Sequence, residues 1–335
     1  MRLSAGPLGA GFAALSTGLA ALAGLGAHAL ASGNVPTQFP PLAYAALSCE
    51  PRPVPSPGPG GVVTAASPQC ASVGRIFIEA GDESGPRRLT NPPFTNEGPG
   101  SGVIDRAPSW SGRGQLAFER QERSRDSRIM VVGEDGSGER PIAIGREPDW
   151  SPDATSLAFW RVIGCPRACR GQLVLARADG SHTRRLTPTA YDAQSPAFSP
   201  DGKAVAYVRN LSRGRFELYV VRLFDRRSVR ITNTRQDEFS PSWSPDGKRI
   251  VFAREIRTGK RALFTLSSRG GRSRPVLPAG PDDADPSWGR AGIAFSRRLS
   301  TGRAIYVMSP NGTRIRRLTY LPSQHAVEPA WRGGR

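Results

Sequence analysis

The sequence predicts an all-β protein, a six-bladed β-propeller built from four-stranded antiparallel blades. The first observation is a repeated motif in which a proline is followed, two positions later, by an aromatic residue. Its aromatic residue stands at Trp110, Trp150, Phe198, Trp243, Trp288 and Trp331, at intervals of 40 to 48 residues. The second observation is that each interval contains four short β-type segments. A period of this size filled with short strands is typical of propeller blades.

Each repeat begins with a short strand that ends at the aromatic residue and meets a tight turn. The turn sequence Ser-Pro-Asp-Gly is complete at 199–202 and at 244–247. Proline presets the first corner, and glycine takes the left-handed conformation that lets the chain pair back on itself. The last glycine survives in the degenerate copies as Gly114 and Gly292. At Ala154 it does not, so a left-handed alanine is predicted there with a strain of about 1 kcal/mol.

The other three strands follow in order within each repeat. An apolar triplet such as Ile250–Phe252 predicts the second strand, and a run such as Ile305–Met308 predicts the third. Tight turns come next at Asp135-Gly136, Asp179-Gly180 and Asn311-Gly312. The fourth strand is predicted to end in Arg-Leu-Thr or a close relative, at 88–90, 185–187, 230–232 and 317–319.

The two ends of the chain are predicted to share the closing blade. The last aromatic motif, Pro329 to Trp331, is an innermost strand with no later strands to complete its blade. The start of the chain offers three: Val62–Ala66 as the second strand, Arg75–Glu79 as the third and Arg87–Thr90 as the outermost. One C-terminal strand plus three N-terminal strands would leave no open edge between the first and last blades.

These motifs carry a resemblance to a known family. PSWSPDG, a triplet such as IVF, a strand like IYVM and then RRLT resemble the WD-like repeats of the TolB-like six-bladed β-propeller family, over about residues 61–331. The resemblance implies the propeller fold. TolB also carries an α/β domain before its propeller, and the residues expected between an export signal and the first blade are too few for one. A role in the Tol system is therefore left open.

The first 60 residues predict export followed by a spacer. Residues 1–31 combine Arg2 with a long uncharged Leu/Ala/Gly run and small-residue cleavage sites at 27–29 and 29–31, which indicates a cleaved signal peptide. The alternative is an uncleaved membrane anchor. Residues 32–60 are rich in proline and are predicted to be an extended spacer before a propeller at 61–335. The expected location is extracytoplasmic: secreted, periplasmic or associated with the cell wall.

The four cysteines are predicted to form disulfides in that oxidising location. Cys165 and Cys169 lie in one loop and would most simply pair with each other, and Cys70 could pair with Cys49. A zinc site is the alternative, and it would need these two distant pairs to meet.

The charge is strongly positive, and it constrains the choice of partners. The formal net charge is +18, and 43 of the 46 basic residues are arginine. Arginine pairs on the outermost strands would keep open sheet edges from pairing with neighbours. The functional alternative is a basic rim for an anionic wall polymer, lipid headgroups or an acidic protein. Export argues against nucleic acid, a membrane is expected only if residues 1–31 stay attached, and a monomer is expected.

No catalytic machinery is predicted. After the leader the chain has two histidines, His182 in a turn and His325 on the last strand, and neither has an evident nucleophile. The sequence contains no Gly-x-Ser-x-Gly motif, and no hydrolase domain is expected after the last blade. The sequence therefore favours a protein that is not an enzyme and needs no cofactor.

Acidic residues just before the aromatic motif are the candidate binding site. On innermost strands they would ring one mouth of the central channel, where they could hold Ca²⁺ or a basic peptide. The alternative is that each caps its own blade or pairs with arginine. Together with His325, the candidates are Asp105, Glu147, Asp192, Asp237, Glu238, Asp282, Asp283, Asp285 and Glu328.

Two functions follow from these observations. The leading one is an exported, non-catalytic propeller that acts as a scaffold for a protein or an envelope component. The alternative is a carbohydrate-active or other small-molecule enzyme, similar to the lyases that carry related repeats, working at the acidic mouth. Asp282, Asp283 and His325 would then supply a base and a metal ligand.

Overall fold

The computed structural model describes residues 40–51, 70–80, 85–92, 102–122, 126–164, 169–211, 214–277, 280–320 and 325–332. The chain divides into two units, Met1–Pro36 and Thr37–Arg335, and every described residue belongs to the second. These residues form twenty-four strands. Within the described ranges, no helix has the length and apolar character needed to cross a membrane.

Five blades follow one another along the chain, each with four antiparallel strands in sequence order. Blade 1 contains β4 (Ile104–Trp110), β5 (Gln115–Gln121), β6 (Arg128–Gly133) and β7 (Arg140–Ile144). Blade 2 contains β8 (Arg146–Trp150), β9 (Ser156–Ile163), β10 (Arg170–Arg177) and β11 (Arg184–Arg185). Blade 3 contains β12 (Asp192–Phe198), β13 (Ala204–Leu211), β14 (Arg215–Arg222) and β15 (Ser228–Arg230).

Blade 4 contains β16 (Glu238–Trp243), β17 (Arg249–Arg257), β18 (Lys260–Ser267) and β19 (Arg274–Pro275). Blade 5 contains β20 (Asp283–Gly289), β21 (Gly292–Leu299), β22 (Gly302–Met308) and β23 (Arg316–Arg317). In each of these five blades the first strand is innermost. It ends at the repeated aromatic residue in blades 1–4 and one residue past Trp288 in blade 5. The all-β, four-stranded organisation predicted from the sequence is confirmed.

The closing blade joins both ends of the chain. Its innermost strand is β24 (His325–Trp331), followed outward by β1 (Leu42–Pro51), β2 (Cys70–Glu79) and β3 (Arg87–Arg88). β1 pairs antiparallel with β24, with Leu42 opposite Trp331, and β2 pairs antiparallel with β1. The predicted closure by one C-terminal and three N-terminal strands is confirmed.

The identity of the second strand of this blade was predicted wrongly. It is Leu42–Pro51, which the sequence analysis placed in the spacer at 32–60, whereas Val62–Ala66 lies outside the described residues. Residues 42–47 are all apolar and show no polar alternation, and proline-rich sequence comes directly after β1, so the strand was missed. Leu42 to Ala45 are completely buried, because Leu42 and Tyr44 pack against blade 5 and Ala43 and Ala45 against blade 1. The propeller therefore begins before residue 61.

The hydrophobic core lies between neighbouring blades. Each repeated aromatic residue fills the gap to the blade before it: Trp243 of blade 4 packs with Ala206 and Leu218 of blade 3. In the same way Trp331 of the closing blade packs with Ala294 and Ile305 of blade 5. Large aromatic side chains bury more apolar area than any other residue type, so one per blade is enough to join adjacent sheets.

The Ser-Pro-Asp-Gly turns have the geometry predicted for them. In the copy at 199–202, Ser199 Oγ donates to Asp201 Oδ1 at 2.6 Å and accepts from the amide of Ala204 at 2.9 Å. Gly202 has φ of +68°, and Ala154, which replaces this glycine in blade 2, has φ of +57°. The left-handed alanine predicted at Ala154 is confirmed.

The fourth strands end earlier than predicted. They stop at the arginine of the Arg-Leu-Thr motif, and the threonine that follows is buried instead of extending the strand. Its hydroxyl accepts a hydrogen bond from the third strand of the same blade: Thr232 from the amide of Leu218 at 2.9 Å, and Thr319 from the amide of Ile305 at 2.9 Å. The motif therefore fixes the outer edge of the blade.

The cysteine pairings stay predictions. Cys165 lies outside the described residues, and the side chains of Cys49 and Cys70 are not described. The backbone register places Cys49 opposite Ser72 and Cys70 opposite Pro51, so the two cysteines are diagonal neighbours on β1 and β2.

Candidate functional site: the central channel

The channel is lined by the same three-residue segment from each of the six innermost strands. The segment consists of the proline of the repeated motif and the residue on either side of it, from Ala107–Ser109 in blade 1 to Glu328–Ala330 in the closing blade. It encloses a cavity of about 160 Å³. Pockets for drug-sized ligands have volumes of roughly 300–1,000 Å³. This channel therefore suits a single side chain or a few water molecules.

The residue before each proline has a left-handed backbone, although none is glycine. These residues are Ala107, Glu147, Ser195, Ser240, Asp285 and Glu328, with φ between 49° and 52°. Each lies in a register shift between the first and second strands of its blade, as between Arg106 and Ser109 in blade 1. A β-bulge re-aims side chains at a sheet edge. Residues before proline favour extended backbone, so sequence rules did not predict this conformation.

The candidate acids separate into three groups by their distance from the proline. The first group lies four positions before it and comprises Asp192, Asp237 and Asp282. Each Oδ1 accepts from a backbone amide in the third strand of the preceding blade: Gly171 at 2.6 Å, Phe216 at 3.0 Å and Arg261 at 2.9 Å. These hydrogen bonds link neighbouring blades. Asp192 and Asp282 also bind inside their own blade, Asp192 to Asn210 and Asp282 to Arg298 and Arg303.

The second group lies three positions before the proline and forms ion pairs inside its own blade. Asp105 faces Arg120, with Oδ1 and Nε 2.7 Å apart, and Asp283 faces Arg297 in the same way at 2.7 Å. Glu238 pairs with Arg254 at 2.6 Å. All three carboxylates are buried, and burial raises the pKa of each while the facing arginine lowers it. The predicted pairing with arginine is therefore present in this group.

The third group, directly before the proline, lines the cavity and comprises Glu147, Asp285 and Glu328. Glu328 Oε2 accepts from the amide of Ala107 at 2.7 Å. Glu147 accepts from Ser195 Oγ, and Asp285 from Ser296 Oγ, each at 2.8 Å. Among the described residues, none of these three carboxylates has a cation within ion-pair distance. They are the only candidates with carboxylate groups directed to the channel segment.

Because no cation pairs with the third group, the pKa values of its glutamates are raised. Burial, with Asp285 adding repulsion, raises the pKa of Glu328 to about 8. Burial also raises the pKa of Glu147, and Glu119 adds to the rise. Arg106 opposes both shifts, but its guanidinium already donates to Glu119 Oε1 at 3.1 Å. The channel therefore holds more carboxylate than its arginine can neutralise.

His325 lies away from the channel carboxylates, at the start of β24. It is exposed and pairs in register with Arg303 of blade 5. Arg303 also binds Asp282, whose second partner is Arg298 at 3.3 Å. The residues proposed for a lyase-like site, Asp282, Asp283 and His325, are thus near one another, but both carboxylates are engaged by arginine. Across the described ranges, no group of three or more His, Cys, Asp or Glu residues has a metal-binding arrangement.

Sequence reasoning missed the polar residues that hold the channel acids. Arg106, Glu119, Ser195 and Ser296 stand on first and second strands, and nothing in a single sequence distinguishes them from other strand residues. The arginines of the second group did leave a signal. Arg120, Arg254 and Arg297 each follow the second-strand Phe by two positions, which places them on the same face of the strand and opposite the acids.

Comparisons with known proteins agree with this architecture. The model of the TolB beta propeller domain matches residues 101–291 and 165–333. The crystal structure of TolB from Acinetobacter baumannii superposes with a TM-score of 0.65 at 18% identity, covering 87% of this chain and 66% of that one. Putative TolB from Agrobacterium tumefaciens gives 0.60 at 17% identity, covering 73% and 93%.

A Kuenenia stuttgartiensis hydrazine synthase gives a TM-score of 0.64 at 14% identity, covering 88% of this chain and 47% of that one. At these identities the similarity concerns the fold. The chain spans about two thirds of the Acinetobacter TolB. A search of curated proteins found no match.

Proposed function

The chain belongs to the family of the TolB beta propeller domain, and from that premise we propose that it is an exported, non-catalytic scaffold that binds a protein or another component of the cell envelope. The apolar leader at 1–31 supports export, since it has the pattern of a signal peptide. The small channel and the arginine-bound acids at its rim support binding without catalysis.

The proposed position of the partner contact rests on one observation. The second group of acids has an arginine paired with each carboxylate, whereas Glu147, Asp285 and Glu328 have no cation within ion-pair distance among the described residues. Glu147, Asp285 and Glu328 are half-buried. A partly desolvated carboxylate without a cation costs free energy, and an arriving positive charge lowers that cost. The channel mouth is therefore the proposed contact point for one lysine or arginine side chain of a partner.

Ca²⁺ is the weaker candidate for the same place. It takes six to eight oxygen ligands from groups that converge within 2.3–2.6 Å. The described residues offer no such cluster. A single ammonium or guanidinium group needs fewer ligands and fits a cavity of about 160 Å³.

The test is capture of partners from an envelope fraction by the full chain and by a variant carrying Glu147→Gln, Asp285→Asn and Glu328→Gln. We expect wild-type protein to retain a defined partner in stoichiometric amount and the variant to lose it by at least tenfold. The matched control carries Asp126→Asn, Asp135→Asn and Asp179→Asn, which remove the same charge from exposed positions.

Equal capture by all three proteins would contradict the contact point. Turnover of polyuronides, peptides or esters that survives purification would contradict the non-catalytic role. Measuring bound metal in the same preparations tests the Ca²⁺ alternative directly.

A further inference from the structure

The hairpin turns of the blades lie together at one end of the propeller, which we name the turn end. The turn between the first and second strands touches the turn between the third and fourth: the amide of Leu223 donates to the carbonyl of Lys203, and that of Ser268 to the carbonyl of Lys248, both at 2.9 Å. Neighbouring blades also meet there, since a Cβ on Gly247 would lie 3.8 Å from Pro200. The turn end is therefore one continuous surface.

Charge is distributed unevenly over the turn end. In blades 3–5 the turns comprise residues 199–203, 223–227, 244–248, 268–273, 290–291 and 309–315. They hold eight Lys and Arg against three Asp, a net charge of +5, and all eight cations are exposed. In blades 1 and 2 the turns at 111–114, 134–139, 151–155 and 178–183 hold one arginine against five acids, a net charge of −4.

Exposed apolar side chains lie in the same basic half. Phe224, in the blade 3 turn, is 80% exposed, and Ile315, in the blade 5 turn, is 43% exposed. The guanidinium of Arg222 lies 5.0 Å from the centre of the Phe224 ring. Of the exposed large apolar residues among those described, none lies in the turns of blades 1 and 2. Exposed basic and exposed apolar side chains therefore occupy the same half of the turn end.

We propose that the turn end of blades 3–5 docks on an anionic lipid surface. Arginine and lysine attract the negative headgroups of such a surface, and an exposed phenylalanine enters the boundary between headgroups and acyl chains. A soluble polyanion would use the cations but would gain nothing from Phe224. The acidic half of the same end would tilt the molecule, so that blades 3–5 face the lipid. The inference goes beyond the contact point proposed at the channel, and its test is separate, because the vesicles contain no protein and the variants leave the channel carboxylates unchanged.

The experiment is co-sedimentation of the full chain with two kinds of vesicle. One contains phosphatidylcholine alone, and the other contains phosphatidylcholine with about 30% phosphatidylglycerol, whose anionic headgroups give the surface a negative potential. The measured quantity is the ratio of the two partition coefficients. The leader segment is present in all proteins, so its contribution cancels between variants. We expect the wild-type ratio to exceed ten and to fall as salt is raised.

Three variants separate the possible causes. Arg227→Glu, Arg269→Glu and Arg272→Glu together should lower the ratio at least tenfold, since each cation near the surface contributes about fivefold. The matched control is Arg170→Glu, Arg235→Glu and Arg257→Glu. It reverses exposed arginines at two strand ends and in one loop of the opposite end, and it should change the ratio less than twofold. Phe224→Ala should lower binding to anionic vesicles severalfold.

A ratio near one for wild type, or equal losses in the two arginine variants, would overturn the proposal. If Phe224→Ala binds as wild type and polyphosphate of equal charge competes completely, the surface serves a soluble polyanion and the lipid proposal is likewise wrong.

Discussion

At the scale of single residues, three carboxylates within one short segment of blade 5 meet three different environments. Asp282 accepts an amide hydrogen bond from blade 4, Asp283 pairs with Arg297 inside its own blade, and Asp285 lines the channel. The difference arises because successive strand residues face opposite sides of a sheet and a bulge resets that alternation before the proline. Residue type alone therefore does not define the site.

Glu328 gives a prediction about pH. Its pKa is about 8 in the folded chain against an ordinary 4.5, so the unfolded state releases the proton first as the pH rises. Ionisation then lowers the free energy of unfolding between about pH 4.5 and pH 8. Glu328→Gln should match wild type at pH 4.5 and be more stable at pH 8, by on the order of 2 kcal/mol after allowance for water in the channel.

The measurement is urea denaturation of both proteins at the two pH values, with Asp126→Asn as the control for loss of one exposed carboxylate. A Glu328→Gln variant with the same stability gain at both pH values would show that the carboxyl group is not held protonated.

Gly247 gives a second prediction at this scale. Its φ is +68°, and an added Cβ would meet Pro200 at an ordinary 3.8 Å, so a substitution meets backbone strain and no clash. Gly247→Ala should lower the free energy of unfolding by about 1 kcal/mol. Gly247→Asn should cost less, because asparagine tolerates the left-handed region better. Thermal melting of the two variants would refute this explanation if alanine were the better tolerated.

At the scale of the blade, the outer edge depends on side-chain hydrogen bonds as much as on strand pairing. The outermost strands contain only two to five residues, and four of the six blades carry a buried threonine two positions beyond the strand end. That hydroxyl accepts a hydrogen bond from a third-strand amide, and this amide lies beyond the end of the short outer strand. The arginine pairs before it cover the remaining edge.

Thr319 tests this role of the threonine. Thr319→Val keeps the shape of the side chain but leaves the buried amide of Ile305 without its acceptor at 2.9 Å. An unsatisfied buried donor costs about 1–3 kcal/mol. The exposed Thr313→Val should change stability by less than about 0.5 kcal/mol, as surface substitutions usually do. Equal urea midpoints for the two variants would show that the hydroxyl contributes nothing to the edge.

At the scale of the whole molecule, the ring depends on a single joint between the two chain ends. β24 is the innermost strand of the closing blade, and β1 is hydrogen-bonded to it along most of its length. Trp331 packs against blade 5, so the joint also completes a core between blades. Opening it would expose two sheet edges and an aromatic residue that is 6% exposed in the closed ring.

Truncations test the joint from both sides. Deleting 325–335 removes β24 and should lower the free energy of unfolding by at least about 3–5 kcal/mol, the usual cost of losing one buried aromatic. A chain that starts at residue 52 lacks β1 and should be destabilised to a similar degree, whereas a chain that starts at residue 37 should melt as the full chain does. If the chain starting at residue 52 melts normally, β1 is not part of the joint.

The sequence by itself determined the blade repeat, its turns and the sharing of the closing blade. Those features depend on local chemistry: glycine or its substitute in a left-handed turn, short strands and an aromatic residue every 40 to 48 positions. Ala154 shows how strong this local signal is, because its unusual backbone could be predicted from the motif alone.

Only the tertiary structure decided which strand completes the ring and which acids line the channel. Leu42–Pro51 is a strand because β24, almost three hundred residues away, supplies its partner. Glu328 lies in the channel and Asp283 does not because a bulge and an arginine on the next strand decide their surroundings. Pairing across the chain and burial are properties of the assembled ring, and the order of residues in a single strand does not contain them.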